Sequence, residues 1–199
     1  MEIRKQLAQH LRRYTEVPEK EVQPILSHFQ TITVAKKVNL IEAGQICRYH
    51  YYVGKGCLRM FFINGKGNEQ TLQFAIENWW LTDHRSFSSQ RETGFFIQAV
   101  ERCELLAIDL SNQEHMFHAH PCMERYFRKI YEIAYGVAQQ GMKLRYELSG
   151  EDMYFHFVRA FPDFANRIPQ YLLASYLGIT PEYLSEIKKS ARTGNRTGD

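Results

Sequence analysis

The sequence predicts an α+β fold: a strand-rich N-terminal half, one long helix, and a helix-turn-helix at the C-terminal end. Three observations predict it: seven short β-branched or aromatic runs between residues 31 and 108, an apolar heptad from 123 to 148, and two short helical patterns meeting at Gly178. The chain opens with helical patterns over roughly 3–14 and 19–29. The runs Thr31–Val34, Val38–Ile41, Tyr49–Val53, Cys57–Ile63, Thr71–Phe74, Phe95–Val100 and Glu104–Ile108 follow. Glu42-Ala43-Gly44, Gly54-Lys55-Gly56 and Asn64-Gly65-Lys66-Gly67-Asn68 punctuate them. The last reads as a hairpin, because Asn-Gly supplies the positive φ of a tight turn. Short strands at this spacing imply an antiparallel sandwich or barrel.

Composition narrows the function classes. Of 199 residues 44% are hydrophobic, 14% aromatic and 24% charged, as in ordinary globular chains. No apolar run approaches the roughly 18 residues of a membrane span, and Met1-Glu2-Ile3-Arg4-Lys5 does not lead into an apolar signal core. The expected location is the cytoplasm. Cys47, Cys57, Cys103 and Cys122 are scattered and read as reduced core residues. The net charge of +3 permits a polyanionic partner without requiring one, and residues 151–199 carry six basic and six acidic side chains. Any role with nucleic acid therefore rests on placement of charge.

After Pro121, Met123, Phe127, Ile130, Ala134, Val137, Gly141, Leu144 and Leu148 recur at alternating steps of four and three. This is a heptad seam along about 39 Å of helix. The small residues Ala134 and Gly141 let another helix approach closely. That helix is either its copy in a second subunit, the favoured reading, or an element of the same domain.

Three shorter helical segments follow. Ser149 precedes Glu151-Asp152 as an N-cap, and Phe161-Pro162-Asp163 ends that helix. A second helix begins near Pro169 and stops at Gly178. A third starts with Thr180 as N-cap and Pro181 in the first turn, and runs to about Ser190. Between Gln170 and Lys189, Ala174 supplies the small contact and Gly178 the turn. Leu173, Leu177, Ile179, Leu184 and Ile187 supply the apolar anchors that a helix-turn-helix requires. The second helix of such a motif enters the major groove with its N-terminal residues at base edges. The candidate DNA-binding residues are Thr180, Pro181, Glu182, Tyr183, Ser185 and Glu186, with Lys188, Lys189 and Arg192 nearer the phosphates. Glu182 suits a cytosine amine and Ser185 several base edges; Glu186 either reads a base or repels the duplex.

Strands, seam helix and helix-turn-helix in this order resemble the cyclic-AMP receptor protein / fumarate-nitrate regulator (Crp/Fnr) superfamily, in a branch common in Bacteroidetes-type bacteria. The similarity covers nearly the whole chain. It is carried by Ile41-Glu42-Ala43-Gly44, Tyr51-Tyr52-Val53-Gly54-Lys55-Gly56-Cys57-Leu58-Arg59, Gly67-Asn68-Glu69-Gln70-Thr71-Leu72-Gln73-Phe74, Ala75-Ile76-Glu77-Asn78-Trp79-Trp80 and the C-terminal motif. The resemblance implies a double-stranded β-helix (a cyclic-nucleotide-binding-like β-roll) over 1–119, a dimerisation helix over 120–148, and a reduced winged helix-turn-helix over 149–199. It implies a homodimeric transcription regulator binding double-stranded DNA, with RNA polymerase as a further partner and half-sites about 34 Å apart.

The departures are specific. Where cyclic-nucleotide-binding members carry Gly-Glu for the ribose and Arg followed by a small residue for the phosphate, this chain has Thr82-Asp83 and Thr93-Gly94. Threonine replaces neither the charge nor the fork of arginine; Arg91, two residues away, is the candidate substitute. The candidate effector pocket is Trp80, Thr82, Asp83, Arg91, Thr93 and Gly94, for an unidentified small molecule other than cyclic AMP. Trp79, Trp80, Phe74, Phe87, Phe95 and Phe96 are core residues or cavity walls. An iron–sulfur cluster does not fit, since the first cysteine is Cys47. His28, His50 and His84 read first as solvated or core histidines, not haem ligands. His115, His118 and His120 form the one histidine cluster, which reads as a solvated hinge. No nucleophile elbow, phosphate loop or cupin histidine pattern occurs, so an enzyme is not expected, and neither cofactor nor metal. The short polar tail Arg192–Asp199 is too small for the usual two-stranded wing. The competing function is a ligand-binding or scaffold protein of the same fold that no longer reads DNA.

Overall fold

The strand-rich stretch pairs antiparallel and is buried on two sides, which explains its long apolar runs. The structure, a computed structural model, describes residues 2–193. Two helices, α1 (Glu2–Tyr14) and α2 (Glu19–Ser27), precede eight strands: β1 (Gln30–Val34), β2 (Asn39–Ile41), β3 (Tyr49–Lys55), β4 (Leu58–Ile63), β5 (Glu69–Ala75), β6 (Trp80–Leu81), β7 (Phe96–Ala99) and β8 (Cys103–Asp109). Helix α3 (His84–Ser89) lies between β6 and β7. After β8 come α4 (Leu110–Ala119), α5 (Cys122–Glu147), α6 (Gly150–Ala160), α7 (Pro162–Arg167), α8 (Gln170–Leu177) and α9 (Pro181–Thr193). The strands form two four-stranded sheets, ordered β1-β8-β3-β6 and β2-β7-β4-β5.

Two compact units divide the chain: residues to 63 together with 72–134, and residues 64–71 together with those from 135 onward. In the first unit, side chains of β3 and β8 alternate between two cores, as the two-residue period of a strand requires. Tyr51, Val53, Leu105 and Ala107 point into the core between the sheets, with Val34, Ile41, Leu58, Ala75, Leu81 and Ile97. Tyr52, Leu106 and Ile108 face the opposite way, onto Leu7, Leu11, Ile25 and Phe29 of the N-terminal helical region. The register Tyr52↔Leu106 and Val53↔Leu105 keeps each pair on one face. A sheet covered on both sides leaves no polar face in sequence, hence Leu105-Leu106-Ala107-Ile108.

Several expectations need correction. The 64–68 turn takes its positive φ at Gly67 (79°), not at Asn64-Gly65. Asn64 organises the turn through its side chain: Oδ1 accepts from the N–H groups of Lys66 (2.9 Å) and Asn68 (3.1 Å). The stretch expected to be a solvated hinge is helix α4, N-capped by Asp109, which accepts from the Asn112 N–H at 2.8 Å. Of its histidines, His118 Nδ1 lies 2.8 Å from the Glu114 carbonyl, and His120, just beyond the helix, lies 3.1 Å from Glu21 Oε2. Among the described residues no three metal-binding side chains cluster, and no helix is long and apolar enough to cross a membrane.

The seam helix is one continuous α5, as its heptad predicts, but its first half is spent within its own unit. Met123 and Phe127 are completely buried against the N-terminal helices, and Ile130 packs beside them. Met123 and Phe127 are thus covered within their own unit and offer no surface to a second subunit, while Ile130 is half-buried. From Ala134 onward the seam is less covered: Ala134 and Val137 are exposed, Val137 by 60%, while Gly141 and Leu144 are half-buried.

Candidate nucleic-acid interface and effector pocket

In the second unit, α8 and α9 form a helix-turn-helix built by the residues that predict it. Gly178 ends α8 at φ 74°, ψ 25°, a left-handed conformation that glycine adopts without a Cβ penalty. The carbonyl of Ala174 then accepts from both the Gly178 and Ile179 N–H groups. Ala174 is wholly buried, which brings the helices close, and Leu172, Leu173, Leu184 and Ile187 fill the inner faces. Gly150 completes the packing from α6, since a Cβ there would lie 2.6 Å from Ile179 Cγ2. Thr180 caps α9 by accepting from the Tyr183 N–H at 3.2 Å.

Burial of Leu184 and Ile187 dictates what α9 presents outward. Pro181, Glu182, Tyr183, Ser185, Glu186 and Lys189 are exposed, and Lys188 is half-buried. The outer side of the helix therefore carries the five residues expected at base edges, Pro181, Glu182, Tyr183, Ser185 and Glu186, together with Lys189, expected nearer the phosphates. The side chain of Arg192, and the tail from Gly194 whose wing was in question, lie outside the described residues.

The effector-pocket candidates lie in the first unit, tied to one another by internal bonds. Asp83 is the N-cap of α3: its Oδ1 accepts from the N–H groups of Arg85 (3.0 Å) and Ser86 (3.3 Å). The hydroxyl of Thr93 donates to Asp83 Oδ2 at 2.6 Å. The two slots that would hold ribose and phosphate thus bond to each other, and a carboxylate already occupies the two first-turn N–H groups. The Thr82 hydroxyl donates to the Tyr49 carbonyl (3.0 Å) and sits 3.2 Å from Cys47 Sγ. Burial raises the pKa of that thiol, so it stays protonated. Ser86, not singled out from sequence, accepts from the Cys47 N–H at 2.9 Å and donates to the Arg91 carbonyl. No signal for it stood in the sequence, because the six-residue α3 that places it is too short to show a period.

Three candidates are elsewhere. Arg91 and Gly94 are exposed, on a stretch outside the named strands that carries the isolated Ile46↔Glu92 bridge, so Arg91 does not line a pocket with Asp83 and Thr93. Trp80 is buried, and its indole N–H donates to the Tyr126 hydroxyl at 2.7 Å. That hydroxyl lies 2.7 Å from His10 Nδ1. Burial and the nearby Arg13 charge lower His10 to about 4, which keeps its ring neutral. Phe74 and Phe87 are likewise core residues, and Phe96 stacks on Phe61 at 4.9 Å. His50, fully buried, stacks on Tyr131 and meets His84 edge-on at 5.4 Å. Burial, with the adjacent His84, lowers His50 well below its ordinary value.

The whole arrangement matches solved structures. The c-di-GMP responsive global regulator CLP of Xanthomonas campestris superimposes with a TM-score of 0.73 at 14% identity, over 89% of this chain and 93% of that one. The chain has the Crp/Fnr fold. A Thermus thermophilus catabolite activator protein matches at TM-score 0.57 and 22% identity, over 96% of this chain and 91% of that one. A protein assigned to the Crp/Fnr family from Eubacterium rectale matches at 0.68 and 13%, over 89% and 85%. The sequence matches no protein-family model and no curated protein. Within the Crp/Fnr fold, α8 and α9 form the helix-turn-helix, and Asp83 and Thr93, expected from the resemblance to stand in the nucleotide-binding positions, bond to each other.

Proposed function

We propose that the chain is a DNA-binding transcription regulator that works as a homodimer in the cytoplasm, reads a two-fold operator and answers to a small-molecule effector other than cyclic AMP. The observation that carries this reading is α9: its inner residues Leu184 and Ile187 are buried, and Pro181, Glu182, Tyr183, Ser185, Glu186 and Lys189 face outward beside a glycine turn. Such a helix fits a major groove. The seam of α5 from Ala134 through Val137, Gly141 and Leu144 is the proposed subunit contact, with RNA polymerase the further partner of the assembled regulator. The Asp83–Thr93 bond argues against cyclic AMP, because Thr93 brings no charge to a phosphate and Asp83 would repel one. Calorimetry with cyclic AMP should show no micromolar binding.

The deciding experiment selects genomic fragments with the purified protein, with and without cell extract, across a salt series. A DNA reader enriches a two-fold sequence and loses affinity steeply as salt displaces its phosphate contacts. Failure to enrich any fragment under all conditions supports the second reading, a ligand-binding or scaffold protein. The acidic Glu182 and Glu186 on the presented face favour that alternative.

A further inference from the structure

Two histidines of the first unit meet where α2 ends and α4 gives way to α5. His28 is the C-cap of α2, and His120 is the residue that follows α4. Their ring centres lie 6.0 Å apart, with the planes at 79°. Both residues are half-buried and so remain within reach of solvent. Glu21 fixes one of the two: its Oε2 lies 3.1 Å from His120 Nδ1. An ionised carboxylate only accepts, so the proton of the neutral imidazole sits on Nδ1 and Nε2 keeps a free lone pair. Among the described residues, neither that nitrogen nor the His28 ring bonds to a protein group.

The chemistry of this pair is that of a metal ligand set. Imidazole nitrogen suits zinc, nickel and copper, and a carboxylate on the far nitrogen orients such a ligand and raises its basicity. An ion about 2.1 Å from a ring nitrogen stands roughly 3.2 Å from that ring's centre, so two rings up to about 6.4 Å apart can share one ion. The separation of 6.0 Å falls within that reach. Burial, and then the charges of His120 and His115, lower the pKa of His28, so its ring is neutral and able to ligate at pH 7. No third protein ligand converges on the pair among the described residues. Water therefore fills the remaining positions, and the ion exchanges readily, unlike a structural zinc held by four side chains.

We propose that His28 and His120 together bind a late first-row divalent cation of the zinc class, with Glu21 as the positioning residue behind His120. The bound ion ties the end of α2 to the link between α4 and α5 and stabilises the first unit by mass action. The site does not depend on whether the chain reads DNA. Zinc chloride titrated into the full, chelator-stripped chain tests it by calorimetry. The wild type should bind zinc in the micromolar range, and His28→Asn and His120→Asn should each weaken binding at least tenfold with unchanged far-UV circular dichroism. Glu21→Ala should cost about 10- to 100-fold, as for partners behind a ligand, and Glu21→Gln, which still accepts from Nδ1, should cost less. His118→Ala should bind as the wild type does, because that ring is turned back onto the Glu114 carbonyl. In the unaltered chain, zinc should shift the imidazole C–H resonances of His28 and His120 before those of the other histidines, a readout that survives any misfolding of the variants. Absence of zinc binding in the micromolar range overturns the proposal. So does wild-type affinity in both His28→Asn and His120→Asn, or first movement of other imidazole resonances. Equal affinity of Glu21→Ala and the wild type overturns the role given to Glu21.

Discussion

Asp83 shows how one residue changes the meaning of a pocket. Its carboxylate accepts two first-turn N–H groups of α3 and the Thr93 hydroxyl. Loss of an N-cap costs about 0.5–2 kcal/mol, and the orphaned Thr93 hydroxyl adds to it. Asp83→Ala is therefore expected to destabilise the protein by about 2 kcal/mol, lowering the melting temperature by roughly 2–4 °C for each kcal/mol in a chain of this length. Asp83→Asn keeps an oxygen for the cap and should lose less than half as much; equal losses in a thermal scan would refute the capping role. Gly178 makes a parallel case, because at φ 74° any side chain is strained. Gly178→Val should cost about 1–2 kcal/mol and fall on the helix-turn-helix, read as lower helical signal and earlier proteolysis near residue 178. The need for glycine at 178, a small residue at 174 and a cap at 180 could be read from the sequence, because each is a local backbone demand. The Asp83–Thr93 bond could not, since it joins residues ten apart through a fold that the sequence does not spell out.

At the scale of elements, α5 carries two jobs on one heptad. A seam of apolar residues at steps of four and three records that a face is covered and leaves the covering element unnamed. Met123 and Phe127 are covered by α1 and α2, whereas Val137 and Met142 have open sides. The small elements were hidden for related reasons. Helices α3 and α7 have six residues each, too few for a period to emerge. Helix α4 places only Gln113 and Met116 inside, so its pattern reads as polar linker. The division of α5 makes a sharp prediction. Val137→Glu puts a carboxylate on the open half, where a two-fold contact would bring it against its own copy. Burying unpaired charge there should weaken dimerisation at least tenfold without loss of folding. Sedimentation should show the wild type at twice the chain mass and the variant at the chain mass. A wild type already monomeric at micromolar concentration would remove the homodimer from the proposal.

For the whole molecule, the first unit is built around histidines that fold neutral. His10, bonded to Tyr126, is lowered to about 4; His50, buried between His84 and Tyr131, is lowered well below its ordinary value, and His84 beside it is lowered as well. Asp83 pulls His84 back upward, but burial outweighs it. In the unfolded chain these rings titrate near 6.5. Below that pH the unfolded state binds protons that the native state refuses, so stability is complete above 6.5 and is lost as the pH falls toward the native values. Each ring kept neutral removes up to about 1.4 kcal/mol per pH unit below 6.5. Carboxylates in the unfolded chain titrate nearer 4, so the interval from pH 7.5 to 5.0 reports mainly on the histidines. Urea unfolding followed by tryptophan fluorescence, to which Trp80 beside His50 contributes, should give a midpoint that is lower at pH 5.0 than at 7.5. His10→Gln should reduce that difference, because glutamine has no proton to gain and its side-chain amide still bonds to Tyr126. A midpoint independent of pH over this interval would mean that the native rings take up protons freely, which their burial forbids, and the packing of α1 onto β3 and α5 would have to be redrawn.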